Sequence, residues 1–182
     1  MSTTQSGRRS DPMWPGASGS VTDTQGFDRG TGSGDPSADV AHNLRLMKST
    51  DDAYNARDYD FFMGKRHHPD VLVHQIGAPD TRGHGPHRRD MDMMIAGFPD
   101  MRVHNNPYDI QFGQGEWTAV LGKLSGTFTQ PLTFPDGTVI EPTGKAFTTF
   151  FCTIARWQND LMVEEFVLFD PRDLMSQVGV NM

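Results

Sequence analysis

The chain has 182 residues, of which 36% are hydrophobic, with a formal net charge of −7 and one cysteine, Cys152. That length suits one domain, the acidic balance argues against a nucleic-acid or anionic-membrane partner, and the lone thiol excludes an intrachain disulfide framework. The longest apolar stretch, around Phe147 to Ala155, is interrupted by threonines and falls far short of the ~18 residues a membrane helix needs. A reducing cytoplasm is the expected location. Arg8-Arg9 invites a twin-arginine reading, but Ser10-Asp11-Pro12 stands where a hydrophobic stretch should begin.

Composition divides the chain. Residues 1–38 hold 7 Gly, 7 Ser, 5 Thr and 3 Pro, so 22 of 38 positions are small or turn-forming and about seven are apolar. Such a segment cannot bury enough surface to offset its ordering entropy, and a disordered low-complexity tail is expected over 1–38. The remaining 144 residues, 39–182, carry most of the aliphatic and aromatic side chains, enough for one well-buried core.

In chain order, Val40, Leu44, Met47 and Tyr54 recur at helical spacing and predict a first helix over 39–56, capped by Ser37 or Asp39. A short helix over 58–64 follows and is broken by His67-His68-Pro69-Asp70. Residues 71–76 have the β-branched content of a strand, closed by Gly77-Ala78-Pro79-Asp80. Pro86 suits a helix's first turn, and Met91, Met94, Ile95 and Phe98 continue a third helix that Gly97 and Pro99 end. Four strands are expected over 101–112, 116–128, 145–157 and 161–169, the last three as an antiparallel meander. A short helix follows Pro171. Three helices followed by a curved sheet make an α+β arrangement with helices packed on one face.

At this point the chain resembles the SnoaL-like polyketide cyclases, or ester cyclases, of the nuclear-transport-factor-two-like superfamily. The landmarks are Ala53-Tyr54-Asn55, His68-Pro69-Asp70, Phe98-Pro99-Asp100, Gly126-Thr127-Phe128, Pro142-Thr143-Gly144-Lys145, and Asp170 with Leu174 and Gln177-Val178-Gly179. The resemblance implies a cone in which three N-terminal helices pack in a strongly curved, mixed or antiparallel sheet. It also implies an acid/base aspartate in the last strand, helped by a histidine and a glutamine on the preceding one. In register with Gln177-Val178-Gly179, those positions hold Val167, Thr153 and Phe151. The family's usual chemistry is therefore displaced to other residues or absent.

Strand alternation identifies replacements. Val163, Glu165, Val167 and Phe169 share a face, and the resemblance makes it the interior one. A carboxylate there has its neutral form favoured by the apolar walls, so Glu165 is a candidate acid/base; an ion pair or a rim carboxylate is the alternative. His74, mid-strand between apolar neighbours, is a second candidate, against a structural histidine. Tyr54 matches a cavity-facing aromatic of the resembling family and could bind a substrate oxygen, or be a core tyrosine. Trp117, Met94, Thr149, Phe151, Thr153 and Val167 are expected to line the substrate site or to be plain core. Asp170 is read either as part of the site or as the cap of the last helix.

Arg82, His84, His87, Arg88, Arg89 and Asp90 cluster near the start of the third helix and could hold an anion. His84 and His87 with Asp90, or His67 and His68, could ligate a metal, but no ligand-spacing motif supports this and Gly85-Pro86 keeps His84 and His87 off a common helix face. No cofactor and no metal are expected. Cys152 falls on the outward face. The function read from the sequence is a cofactor-independent cyclase or isomerase that moves protons on a small hydrophobic, aromatic or carbonyl-bearing molecule. The alternative is a non-enzymatic small-molecule binding protein. Phe150, Ile154, Phe166 and Leu168 on the outer face predict a homodimer or higher oligomer.

Overall fold

The computed structural model describes residues 36–134 and 136–180. The expected tail over 1–38 lies outside these residues except for 36–38, which open the first helix three residues earlier than anticipated. The elements run α1 (Pro36–Ala56), α2 (Tyr59–Arg66), β1 (His67–Gln75), β2 (Thr81–Arg82), α3 (His84–Gly97), β3 (Arg102–His104), β4 (Ile110–Gln114), β5 (Trp117–Thr127), β6 (Leu132–Thr133), β7 (Val139–Ile140), β8 (Ala146–Gln158), β9 (Leu161–Phe169) and α4 (Pro171–Gln177). Among the described residues no helix is long and apolar enough to cross a membrane.

The architecture is α+β. A curved, unclosed sheet has the order β2-β1-β9-β8-β5-β3, with β4 also on β5, and β6 and β7 form a separate small ribbon. The sheet is mixed because β1, the first strand, lies parallel to β9, the last, with Val73 opposite Glu165. The meander is as expected: β5, β8 and β9 are antiparallel neighbours. The strand expected over 101–112 is two strands, β3 and β4, which pair with successive stretches of the longer β5.

One sheet face is packed. Along β8, Phe147, Thr149, Thr153, Ala155 and Trp157 are buried inward, while Phe150 on the opposite face is 58% exposed. Phe98 stacks on Phe128 at 5.1 Å and meets Phe147 edge-on at 5.2 Å; side chains of this size contribute about 1.5–3 kcal/mol each when fully buried. A break in register on β9 turns Met162, rather than Val163, into this core.

The end of α1 is held by polar contacts. Asn55 receives the Val103 N–H and donates to the Val103 carbonyl, both at 2.8 Å. Arg57, at φ 61°, donates to the carbonyls of Tyr54, Pro99 and Met101. These contacts fix the turn of α1 that carries Asp51 and Tyr54.

Candidate functional site

Between α1, α2, α3 and the inner sheet face lies a cavity of about 120 Å³. Its apolar wall includes Phe62, Met91, Met94, Leu124, Phe151, Val167 and Phe169, and its polar groups are Asp51, Tyr54, Gln75, His87, Asp90, Thr153 and Glu165. An apolar chamber with a few convergent polar groups is the usual form of a small-molecule site.

Glu165 is the centre of the polar end, and 6% of it is exposed. It projects inward from β9 because its parallel partner on β1 is Val73, which is fully buried. His87 reaches it from the first turn of α3, and His67 from the start of β1; each Nε2 lies 3.5 Å from Glu165 Oε2. Phe62 packs against both imidazoles, with ring centroids 4.4 Å from His67 and 5.9 Å from His87. His67 is oriented by its Nδ1, which donates to the Phe62 carbonyl at 2.7 Å. His84 donates from Nε2 to the His67 carbonyl at 3.0 Å, so it braces the site from behind.

Burial is the largest single influence on each of these groups, though not always the deciding one. It pushes His87 down to about 4; the Glu165 charge opposes this and His67 and His84 reinforce it. His87 is thus neutral at physiological pH. Burial alone would raise the Glu165 carboxyl, but His67 and His87 outweigh it and hold the group below its ordinary value. On α1, burial pushes Asp51 up to about 7 although the Tyr108 hydroxyl donates to it at 2.7 Å. Burial also raises the Tyr54 phenol, beyond the partial offset from Arg57, so it keeps its proton.

Of the residues singled out from sequence, Glu165, Tyr54, Met94, Phe151, Thr153 and Val167 line the cavity. His74, the second acid/base candidate, is not among the residues that line the cavity, which corrects its assignment to the site. It has the opposite parity to buried Val71 and Val73, so it sits on the outer face, stacked on Phe166 at 4.3 Å and paired with Asp80 and Glu164. Trp117 is likewise outside: its neighbour Thr118 takes the inward position and accepts the Trp157 indole N–H at 2.9 Å, while Trp117 faces Phe166 and Arg156. Thr149 points inward but lies under α4, where its hydroxyl donates to Asp173 at 2.8 Å. Asp170 caps α4, accepting the Arg172 and Asp173 N–H groups.

Two of the cations near α3 are engaged with other groups. Arg88 lies over the Tyr59 ring at 3.8 Å and pairs with Asp92, and Arg82 donates to the Asp70 carbonyl. Cys152 is on the outer side of β8, and burial raises its thiol.

His67 and His87 are the residues that sequence reasoning missed as partners of Glu165. His67 is turned inward across an irregularity in β1: Pro69 and Asp70 are exposed and the register with β9 shifts between His67 and Leu72, so that His67 lies opposite buried Met162. Alternation from Val71 onward does not reveal this, because residues 67–70 read as the break that ends the second helix and the expected strand starts at Val71.

The fold and cavity define an α+β protein whose curved sheet and helices enclose an apolar chamber with a polar end. The family profile described as SnoaL-like polyketide cyclase matches residues 44–178, and the chain belongs to that family within the nuclear-transport-factor-two-like superfamily. Similar solved structures include a candidate SnoaL-like polyketide cyclase from Jannaschia sp. CCS1, with 16% identity, a TM-score of 0.68 and coverage of 82% of this chain and 99% of that one. Another is IdmH, a candidate polyketide cyclase from Streptomyces antibioticus, with 20% identity, a TM-score of 0.61 and coverage of 76% and 99%. A third is AclR, a candidate hydroxylase from Streptomyces galilaeus, with 16% identity, a TM-score of 0.62 and coverage of 76% and 96%. No curated protein matches the chain. The family's landmark residues have structural tasks here: Asn55 ties α1 to β3, Asp100 accepts the Thr127 N–H and hydroxyl, and Gln177 bonds the backbone of Thr148.

Proposed function

We propose that the protein catalyses a proton-transfer step of the cyclase or isomerase type on a small carbonyl-bearing molecule bound in the cavity. The observation that carries this reading is the Glu165 carboxylate, buried at the polar end of an apolar chamber with Oε2 lacking a hydrogen-bond partner. A carboxylate so placed is positioned to accept a proton from carbon next to a carbonyl. Tyr54, on the same cavity and holding its proton, supplies a donor for the oxygen on which charge develops. The step is redox-neutral and calls for no electron-carrying cofactor. On an identified substrate, Glu165→Gln is expected to lower kcat by about 100-fold or more with the fold retained; full turnover by this variant would remove the assignment.

A second reading is a non-enzymatic ligand-binding protein. It is favoured by the apolar or weakly polar Val167, Thr153 and Phe151, all on the cavity wall at the positions where the family carries its acid/base group and its helpers. It predicts that Glu165→Gln binds the same ligand as the parent and that neither turns it over. We further propose a homodimer formed through the outer sheet face, where Phe150 and Phe112 are 58% and 63% exposed. The lone thiol fits a cytoplasmic protein.

A further inference from the structure

The three side chains at the polar end hold an electrostatic conflict that proton transfer does not explain. His67, His87 and Glu165 are 1%, 4% and 6% exposed, and His67 Nε2, both ring nitrogens of His87 and Glu165 Oε2 are buried without a hydrogen-bond partner. Because a carbonyl can only accept, the 2.7 Å contact with Phe62 O places a proton on His67 Nδ1. With no second proton on the ring, His67 would turn its Nε2 lone pair toward Glu165 Oε2, which also offers only lone pairs. Two acceptors facing each other away from water repel unless positive charge lies between them.

That charge could be a second proton or a metal ion, and two observations favour the metal. Both Nε2···Oε2 separations are 3.5 Å, whereas a charge-assisted N–H···O bond would close to about 2.8 Å. Ligand atoms held ~2.1 Å from a common ion lie roughly 3.0 Å apart at a right angle and roughly 3.4 Å apart at the tetrahedral angle. The ligand atoms of all three residues lie within 4.8 Å of one another. In addition, an Nδ1–H bonded to a backbone carbonyl is the outer contact that typically orients a metal-ligating imidazole.

We propose that His67, His87 and Glu165 bind one divalent transition-metal ion, of the zinc or iron(II) class, with its open positions toward the cavity. Two imidazoles and one carboxylate suit such ions and disfavour magnesium and calcium, which prefer all-oxygen sets. His87 and Glu165 are on the cavity wall, so a substrate oxygen can approach the ion from that side and be polarised by it. The inference rests on the proposed function only for the molecule that takes the open position, and it replaces the part that function gives Glu165. With the ion bound, Glu165 is a ligand, and Asp51, the other buried carboxylate among the described residues, is left to accept a proton.

The test uses the full chain, stripped with chelator and titrated calorimetrically with zinc sulfate, and in a second series with iron(II) under argon, with metal content measured by mass spectrometry. One ion per chain is expected. His67→Ala, His87→Asn and Glu165→Gln should each weaken binding by about 100-fold or more, with near-ultraviolet circular dichroism verifying the fold. His42→Ala, at the exposed pair with Asp160, should bind as the parent does. Negligible metal uptake by the parent, or unchanged affinity in folded His87→Asn and Glu165→Gln, would overturn the site. Such a failure would leave the proton-transfer reading standing, since that reading falls only on the turnover of Glu165→Gln.

Discussion

Replacing Asp51 by asparagine should convert a pH-dependent stability into a flatter one. Asp51 is 6% exposed, and its carboxyl accepts the Tyr108 hydroxyl at 2.7 Å. Burial is the largest influence and drives its pKa up; Tyr108 and His67 pull it down, Glu165 and Asp52 push it up, and the result is about 7 against an ordinary 3.8. Between those two values the unfolded chain has released the proton while the folded chain still holds it. Stability therefore falls as pH rises from about 4 to about 7 and loses nothing further from this group above that. The displacement corresponds to about 4 kcal/mol. Asparagine keeps a carbonyl for Tyr108 and cannot ionise. The two proteins should unfold alike near pH 4, and above about pH 7 the variant should be more stable by up to about 4 kcal/mol, or roughly 10 °C in Tm. Urea unfolding followed by tryptophan fluorescence, across that range and with chelator present, measures the gap. A gap that is constant with pH, or that narrows as pH rises, would refute the reasoning.

Thr118→Val leaves the buried Trp157 indole N–H without its acceptor, and a loss of about 1–3 kcal/mol is expected in the same unfolding assay. Asp170→Ala removes the cap that accepts two N–H groups at the start of α4, lowering stability by about 1 kcal/mol while ligand affinity, measured by calorimetry, stays unchanged. Phe150→Asp places a charge on the outer sheet face; sedimentation should show a dimer for the parent and a monomer for the variant, and a parent that sediments as a monomer would dispose of the proposed interface.

The sequence alone determined the class of fold and most of its inventory. Helical spacing marked α1 and α3, alternation along residues 145–157 assigned the inner and outer faces of β8, and ordered landmarks named the family. The first two signals are local: each depends on residues within one element, where the 3.6-residue and two-residue periods link position to face. Alternation together with the family resemblance singled out Glu165, Tyr54, Met94, Phe151, Thr153 and Val167, all of which line the cavity.

Where a local signal depended on an assumed boundary or on a partner strand, it failed. Trp117 and Thr118 differ by one position, and the choice between them rested on how β5 pairs with β8. The assembly of His67 and His87 on Glu165 depended on tertiary structure altogether. The parallel pairing of β1 with β9 sets Val73 opposite Glu165 and, beyond a shift in register, His67 opposite Met162, and the first turn of α3 brings His87 to the same oxygen. No spacing in the chain encodes that meeting, because it follows from which strands neighbour each other and where a helix crosses them. The sequence determined that a curved sheet would wrap its helices with a carboxylate on the inner face; the tertiary structure decided that two histidines would face it.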